Sequence, residues 1–139
     1  MSYLLDTNVV SEMTKRTRDN SVQAWLDTIT GPSLYLSVMV FGEIRKGIEL
    51  LRRRDAVQAH GYEAWLDRLQ HEFRTRVLPV TAAVAQEWGR MQAARPLPIV
   101  DGLIAATARA HGCTLVTRNV KDFVGLDVET INPFDWPTA

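Results

Sequence analysis

The chain has 139 residues, 46% hydrophobic and 23% charged, proportions that suit one hydrophobic core and a single expected domain over 1–139. No window carries the ~18 uninterrupted apolar residues of a membrane span, and no basic segment leads into an apolar leader at the N-terminus, so neither a membrane anchor nor a secretory signal is expected. Sixteen Lys and Arg balance sixteen Asp and Glu, which argues against a uniformly basic nucleic-acid-binding surface and leaves only local basic patches.

Residues 2–6 read as a short buried strand. A helix follows from Asn8 to about Thr14, opened by Thr7 or Asn8 as its cap. After Asn20, the residues Val22, Trp25, Leu26 and Ile29 recur at helical spacing, and Gly31-Pro32 ends that helix. Leu34–Ser37 is strand-like. From Val40 to about Arg53 the spacing is helical again, through Ile44, Ile48 and Leu51. Gly61 either interrupts or starts the next long helix, which carries Tyr62, Trp65, Leu66, Leu69 and Phe73. Arg76–Val80 reads as a strand, with Pro79 better placed at its end than in its middle. Thr81 caps a helix bearing Val84, Trp88 and Met91. Pro96-Leu97-Pro98 is a rigid connection, and a small-residue helix runs from about Ile99 to Ala110 and stops at Gly112. Thr114–Thr117 and Val128–Ile131 close the chain as strands, followed by a short tail from Asn132-Pro133.

Cys113, the one cysteine, lies before the strand at Thr114 and reads as a small buried apolar side chain. The absence of any disulfide agrees with a reducing cytoplasm. Strands separated by helices imply right-handed crossovers and an α/β architecture, a central parallel sheet flanked by helices on both faces. In such sheets the ligand crevice lies outside the carboxyl ends of the strands.

Four acidic positions stand in apolar company. Asp6 ends the first strand. Its ordinary role would be to cap the next helix, but Thr7 and Asn8 are equally good caps and closer to the helix start, so a functional role is expected for Asp6. Glu43, at ~100° per residue, falls on the edge of its helix's apolar stripe, and its structural alternative is a pairing with Lys46. Asp101 shares a helix face with Ile104, Ala105 and Ala108, which aims it inward. Its alternative role is to complement the helix dipole. Asp122, with Asn119, follows the strand Thr114–Thr117 in a position like that of Asp6, where turn chemistry is the alternative. Carboxylates crowded into one crevice cannot all stay ionised without a counter-charge. A divalent cation supplies it, and hard oxygen donors without His or Cys select Mg²⁺ or Mn²⁺ over zinc. Mg²⁺ held by few carboxylates readily takes phosphate oxygens, which is the setting for phosphodiester hydrolysis. Thr7, Ser11 and Thr117 are expected to hold the ligands or waters by hydrogen bonds, with local caps and strand hydroxyls as the alternative.

Four blocks, "LLDTNVVSE", "VMVFGEIRKG", "PIVDGLIAATARAHG" and "LVTRNVKDFVGL", together resemble the PIN-domain ribonucleases, and more narrowly the VapC- or FitB-type toxins of type II toxin–antitoxin modules. The resemblance runs over nearly the whole chain. It implies a PIN fold and Mg²⁺-dependent endoribonuclease activity, with Asp6, Glu43 and Asp101 as the acidic metal site. It also implies a homodimer, neutralised by a small antitoxin that wraps a tail across the toxin. Many PIN domains place a fourth Asp directly after the "TR" of the last block, where this chain has Asn119. Asp122, three residues on, takes that place directly or through water, or Asn119 itself serves.

Two rival enzyme and signalling classes fit poorly. A haloacid-dehalogenase phosphatase needs a second Asp where Asn8 stands, and a receiver domain needs an acidic pair and a late lysine that do not stand out. A non-catalytic module that keeps the fold to bind protein or nucleic acid remains the alternative, supported by the neutral Asn119. RNA is expected to approach over a local basic rim that uses Lys15 or Lys46.

Overall fold

The computed structural model describes residues 1–138. Five short strands form one parallel sheet: β1 (Tyr3–Leu5), β2 (Leu34–Ser37), β3 (Val77–Leu78), β4 (Thr114–Val116) and β5 (Thr130–Ile131), in the spatial order β3-β2-β1-β4-β5. Helices α1 (Thr7–Met13), α2 (Asn20–Leu26), α3 (Val38–Arg52), α4 (Ala56–Glu72), α5 (Ala82–Ala94) and α6 (Ile99–His111) connect and cover it. The α/β architecture is the one expected, a parallel sheet between helical layers. Within those layers α3 packs on α4 and α5 on α6.

The central strands are apolar because both of their faces are covered. Leu4, Leu5, Leu36, Leu115 and Val116 are fully buried. Tyr3 pairs with Leu34 on one side and with Thr114 on the other, so β1 is the middle of the sheet. The chain first builds outward through β2 and β3, then returns to the opposite side of β1 through β4 and β5. That reversal leaves a crevice at the carboxyl ends of β1 and β4, where the connections depart in opposite directions. Trp25 of α2 closes the core near the other end, its ring edge-on to Tyr3 at 5.4 Å.

Most helix boundaries follow the local chemistry. Thr81 caps α5 through a bond from the Val84 N–H, and Gly112 ends α6 at φ 66°, a left-handed conformation that glycine adopts without steric cost. Pro79 follows β3 directly. Cys113 is buried, and its thiol is pushed up by desolvation.

Four expectations are corrected. Gly61 neither starts nor interrupts a helix. It lies inside α4, whose buried residues Ala59, Leu66 and Leu69 hold the helix together through the weak position. Helix α2 stops at Leu26, so Ile29 packs from the following turn. The last strand is only Thr130–Ile131. The cap of α1 is Asp6, not Thr7 or Asn8.

Candidate functional site

The first strand delivers Asp6 to the crevice. Its backbone N–H donates to the Val116 carbonyl at 2.9 Å, the last rung between β1 and β4. Its side chain, only 6% exposed, accepts at Oδ1 from the Thr7 N–H and at Oδ2 from the Thr117 hydroxyl, both at 2.8 Å. Asp6 does cap α1, for a geometric reason. The carboxylate turns back over the first helical N–H, whereas Thr7 is already helical and its hydroxyl is engaged elsewhere. Capping and function are not exclusive, because each carboxylate oxygen has a further lone pair.

Thr7 donates its hydroxyl to Glu43 Oε1 at 2.5 Å, tying α1 to α3. This is the contact that draws the half-buried Glu43 toward the end of β1. Among the described residues Glu43 has no ion pair with Lys46. Thr117 is completely buried. Besides donating to Asp6, its oxygen accepts from the Asn119 N–H at 3.1 Å and from Asn8 Nδ2 at 3.4 Å. Asn8 Oδ1 in turn accepts from the Arg118 N–H at 3.2 Å. Asn8 therefore clamps the residues just after β4 to the start of α1, a role the sequence reading assigned to no residue. The only signal for it was an amide side chain beside a strand end.

Asp101 lies half-buried in the first turn of α6, which has no side-chain cap. The next residue, Gly102, packs tightly against α5: a Cβ there would meet Trp88 and Gln92 at 3.2 Å. Asp122 sits in a single 3₁₀ turn, Val120–Phe123, and is exposed, its N–H donating to the Asn119 carbonyl at 3.0 Å. Ser11 is exposed on α1, away from these bonds, and lines a neighbouring groove with Thr7, Lys15 and Glu43.

The electrostatics tie the acids together. Desolvation pushes the Asp101 carboxyl above the ordinary aspartate value, and the charges of Asp6, Glu43 and Asp122 push it further. Asp6 is also raised, chiefly by burial and slightly by Glu43, against the lowering effect of its bonds from Thr117 and Thr7. The other three acids thus lie within electrostatic reach of Asp101. They do not form a tight cage: among the described residues no group of three or more His, Cys, Asp or Glu side chains stands at metal-ligating spacing.

The groove beside Glu43 has a volume of about 420 Å³ and runs between α1, α3 and α4. Ile44, Ile48, Leu51 and Trp65 make it apolar, with Lys15 and Arg54 at its rim. Lys15 is fixed there by buried Glu12, which accepts from Lys15 Nζ at 2.9 Å and from the Asp19 N–H at 3.1 Å. Lys46 does not line it.

Fold and site together define a parallel α/β domain with an acidic crevice at the point where strand order reverses. The family model for the PIN domain matches residues 3–127, and the chain belongs to that family. It is 32% identical to Toxin FitB of Neisseria gonorrhoeae (strain ATCC 700825 / FA 1090), over 94% of this chain and 97% of that protein. It is 33% identical to VapC ribonuclease Y4jK of Sinorhizobium fredii (strain NBRC 101917 / NGR234), over 95% and 97% of the two chains. Among solved structures, FitAcB from Neisseria gonorrhoeae superposes with a TM-score of 0.85 at 32% identity, covering 96% of this chain and 99% of that one. FitAB bound to the IR36 DNA fragment gives the same TM-score at 30% identity, covering 98% of each.

Proposed function

We propose that this chain is a metal-dependent endoribonuclease, the toxin of a type II toxin–antitoxin pair, acting in the cytoplasm as one domain over 1–139 and as a homodimer. The observation that carries the reading is the buried Asp6 carboxylate at the carboxyl end of β1, held by Thr117 and the Thr7 N–H, with Glu43 tied beside it through the Thr7 hydroxyl and their charges reaching Asp101. Burial and the charges of Asp6, Glu43 and Asp122 all disfavour the ionised form of Asp101, and a bound cation would offset them. Relatives named a toxin and ribonucleases support the chemistry. No helix is long and apolar enough to cross a membrane among the described residues.

The donor set fits a hard divalent cation, Mg²⁺ or Mn²⁺. Among the described residues no three of the acids stand at metal-ligating spacing, but Mg²⁺ is commonly held by one or two carboxylates while it keeps waters and takes substrate phosphates. Asp6, Glu43 and Asp101 are the residues proposed to hold it, with Asp122, or Asn119 through water, at the open side. When bound, the cation supplies Lewis-acid polarisation of the phosphodiester and neutralises charge that develops on it.

The chain's own contribution is orientation. Thr117 and the Thr7 N–H fix both oxygens of Asp6, and the Thr7 hydroxyl fixes Glu43. These bonds limit the freedom of the two carboxylates before substrate arrives. The low exposure of Asp6 keeps bulk water from screening its charge.

The apolar groove between α1, α3 and α4 suits the antitoxin. Its aliphatic and aromatic lining would take an amphipathic segment, and its end at Thr7 and Glu43 would let a basic side chain reach the acids. The solved complexes FitAcB and FitAB support such a partner. Lys15 and Arg54 are proposed as the basic rim on this side.

Purified protein with Mg²⁺ should cut RNA, and Asp6→Asn should abolish cutting while the fold persists. Equal cleavage by the two proteins would defeat the reading. Expression without antitoxin should arrest growth, and Asp101→Ala should relieve the arrest. Growth arrest that survives Asp101→Ala would favour the non-catalytic binding module, the reading to which the neutral Asn119 lends weight.

A further inference from the structure

We propose that Arg118 is a phosphate anchor for the RNA strand, gripping a backbone phosphate beside the scissile one from the β5 side of the crevice. The inference rests on the ribonuclease reading and adds to it a named substrate contact.

Arg118 directly follows Thr117, whose hydroxyl holds Asp6. Its main chain is held from two sides: its N–H donates to Asn8 Oδ1 at 3.2 Å, and its carbonyl accepts from Asn132 Nδ2 at 3.2 Å. The guanidinium lies over the Phe134 ring, 3.9 Å from the centroid. Asn132 also accepts from the Phe134 N–H at 2.9 Å, so one side chain positions both the ring and the arginine backbone. Arg45, Arg52, Arg90 and Arg109 are all in ion pairs. Among the described residues Arg118 has neither an ion pair nor a hydrogen bond from its guanidinium.

An exposed arginine that is held at its backbone, backed by an aromatic face and without an acidic partner is prepared for an anion. The ring occupies the face of the guanidinium and leaves its in-plane N–H groups to make a bidentate contact. Phosphate is the anion a ribonuclease brings to this edge, and holding the side chain beforehand lowers the ordering cost of binding.

The test uses the full chain and a short mixed-sequence single-stranded oligoribonucleotide. Binding is measured in the non-cutting Asp6→Asn background across a salt series, and cleavage in the otherwise native protein. Arg118→Gln should weaken binding roughly tenfold at low salt and lower the slope of log K against log salt by about 0.7, the release of one counterion from single-stranded nucleic acid. KM should rise while kcat changes little, and Arg118→Lys should restore the salt slope. Phe134→Leu should weaken binding less than Arg118→Gln, because the charge remains. Unchanged affinity and salt slope in a folded Arg118→Gln protein overturn the anchor while leaving the ribonuclease reading standing. A native protein that neither binds nor cuts RNA overturns both.

Discussion

Removing the hydroxyl of Thr117 while keeping its shape isolates one bond of the site. In Thr117→Val the side chain stays the same size in a fully buried position. Asp6 Oδ2 loses its 2.8 Å donor, and the Asn119 N–H loses its acceptor. A buried hydrogen bond to a charged group contributes about 1.5–3 kcal/mol, and the extra buried methyl offsets part of that. The expected net loss is about 2 kcal/mol at neutral pH, which for a chain of this size lowers Tm by roughly 6–8 °C. The loss depends on pH with a definite sign. Burial already raises the Asp6 carboxyl, so its contribution to stability is fully present below the unfolded value and is lost as pH rises through the folded one. Without the Thr117 bond the folded value climbs further, and the loss continues over a wider window. The gap between native and variant should therefore be largest at neutral pH and shrink in acid. Thermal and urea unfolding at several pH values measure this, with RNA cleavage expected to fall about 10–100-fold as Asp6 loses its orientation. A gap that is the same at neutral and acid pH would refute the reasoning, because the bond would then not be sensing the charge on Asp6.

Asp6→Asn should be inactive yet more stable than the native chain at neutral pH, since the amide removes a desolvated charge; the advantage, followed by thermal unfolding, should vanish in acid where Asp6 is already neutral. Glu12→Ala should cost about 1–3 kcal/mol by stranding the Asp19 N–H and freeing Lys15. Lys15 holds the Glu12 carboxyl below the ordinary glutamate value, so this stabilisation is present above that value and is lost as pH falls through the folded one, a dependence the variant should lack in urea titrations. Gly61→Ala should raise stability by about 0.5–1 kcal/mol in the same assay, because the position is inside α4 and an added Cβ meets nothing within 4 Å.

The sequence by itself carried the fold class, because alternating strand and helix patterns admit few topologies once crossovers are right-handed. It also marked Asp6, Glu43 and Asp101 as unusual, since each acid interrupts or borders an apolar stretch, and that mismatch is visible without coordinates. Tertiary structure decided the rest. A cap depends on where a side chain can fold back, and only the path of the chain beyond β1 shows that Asp6, not Thr7 or Asn8, meets the first helical N–H. Asn8, Thr117, Arg118 and Phe134 are separated by up to 126 positions in the chain, and no local periodicity relates them. Their contacts exist because β4 lies between β1 and β5 in the sheet. Strand order is fixed by long-range packing, so the grip on the acids, unlike the acids themselves, could be read only from the folded chain.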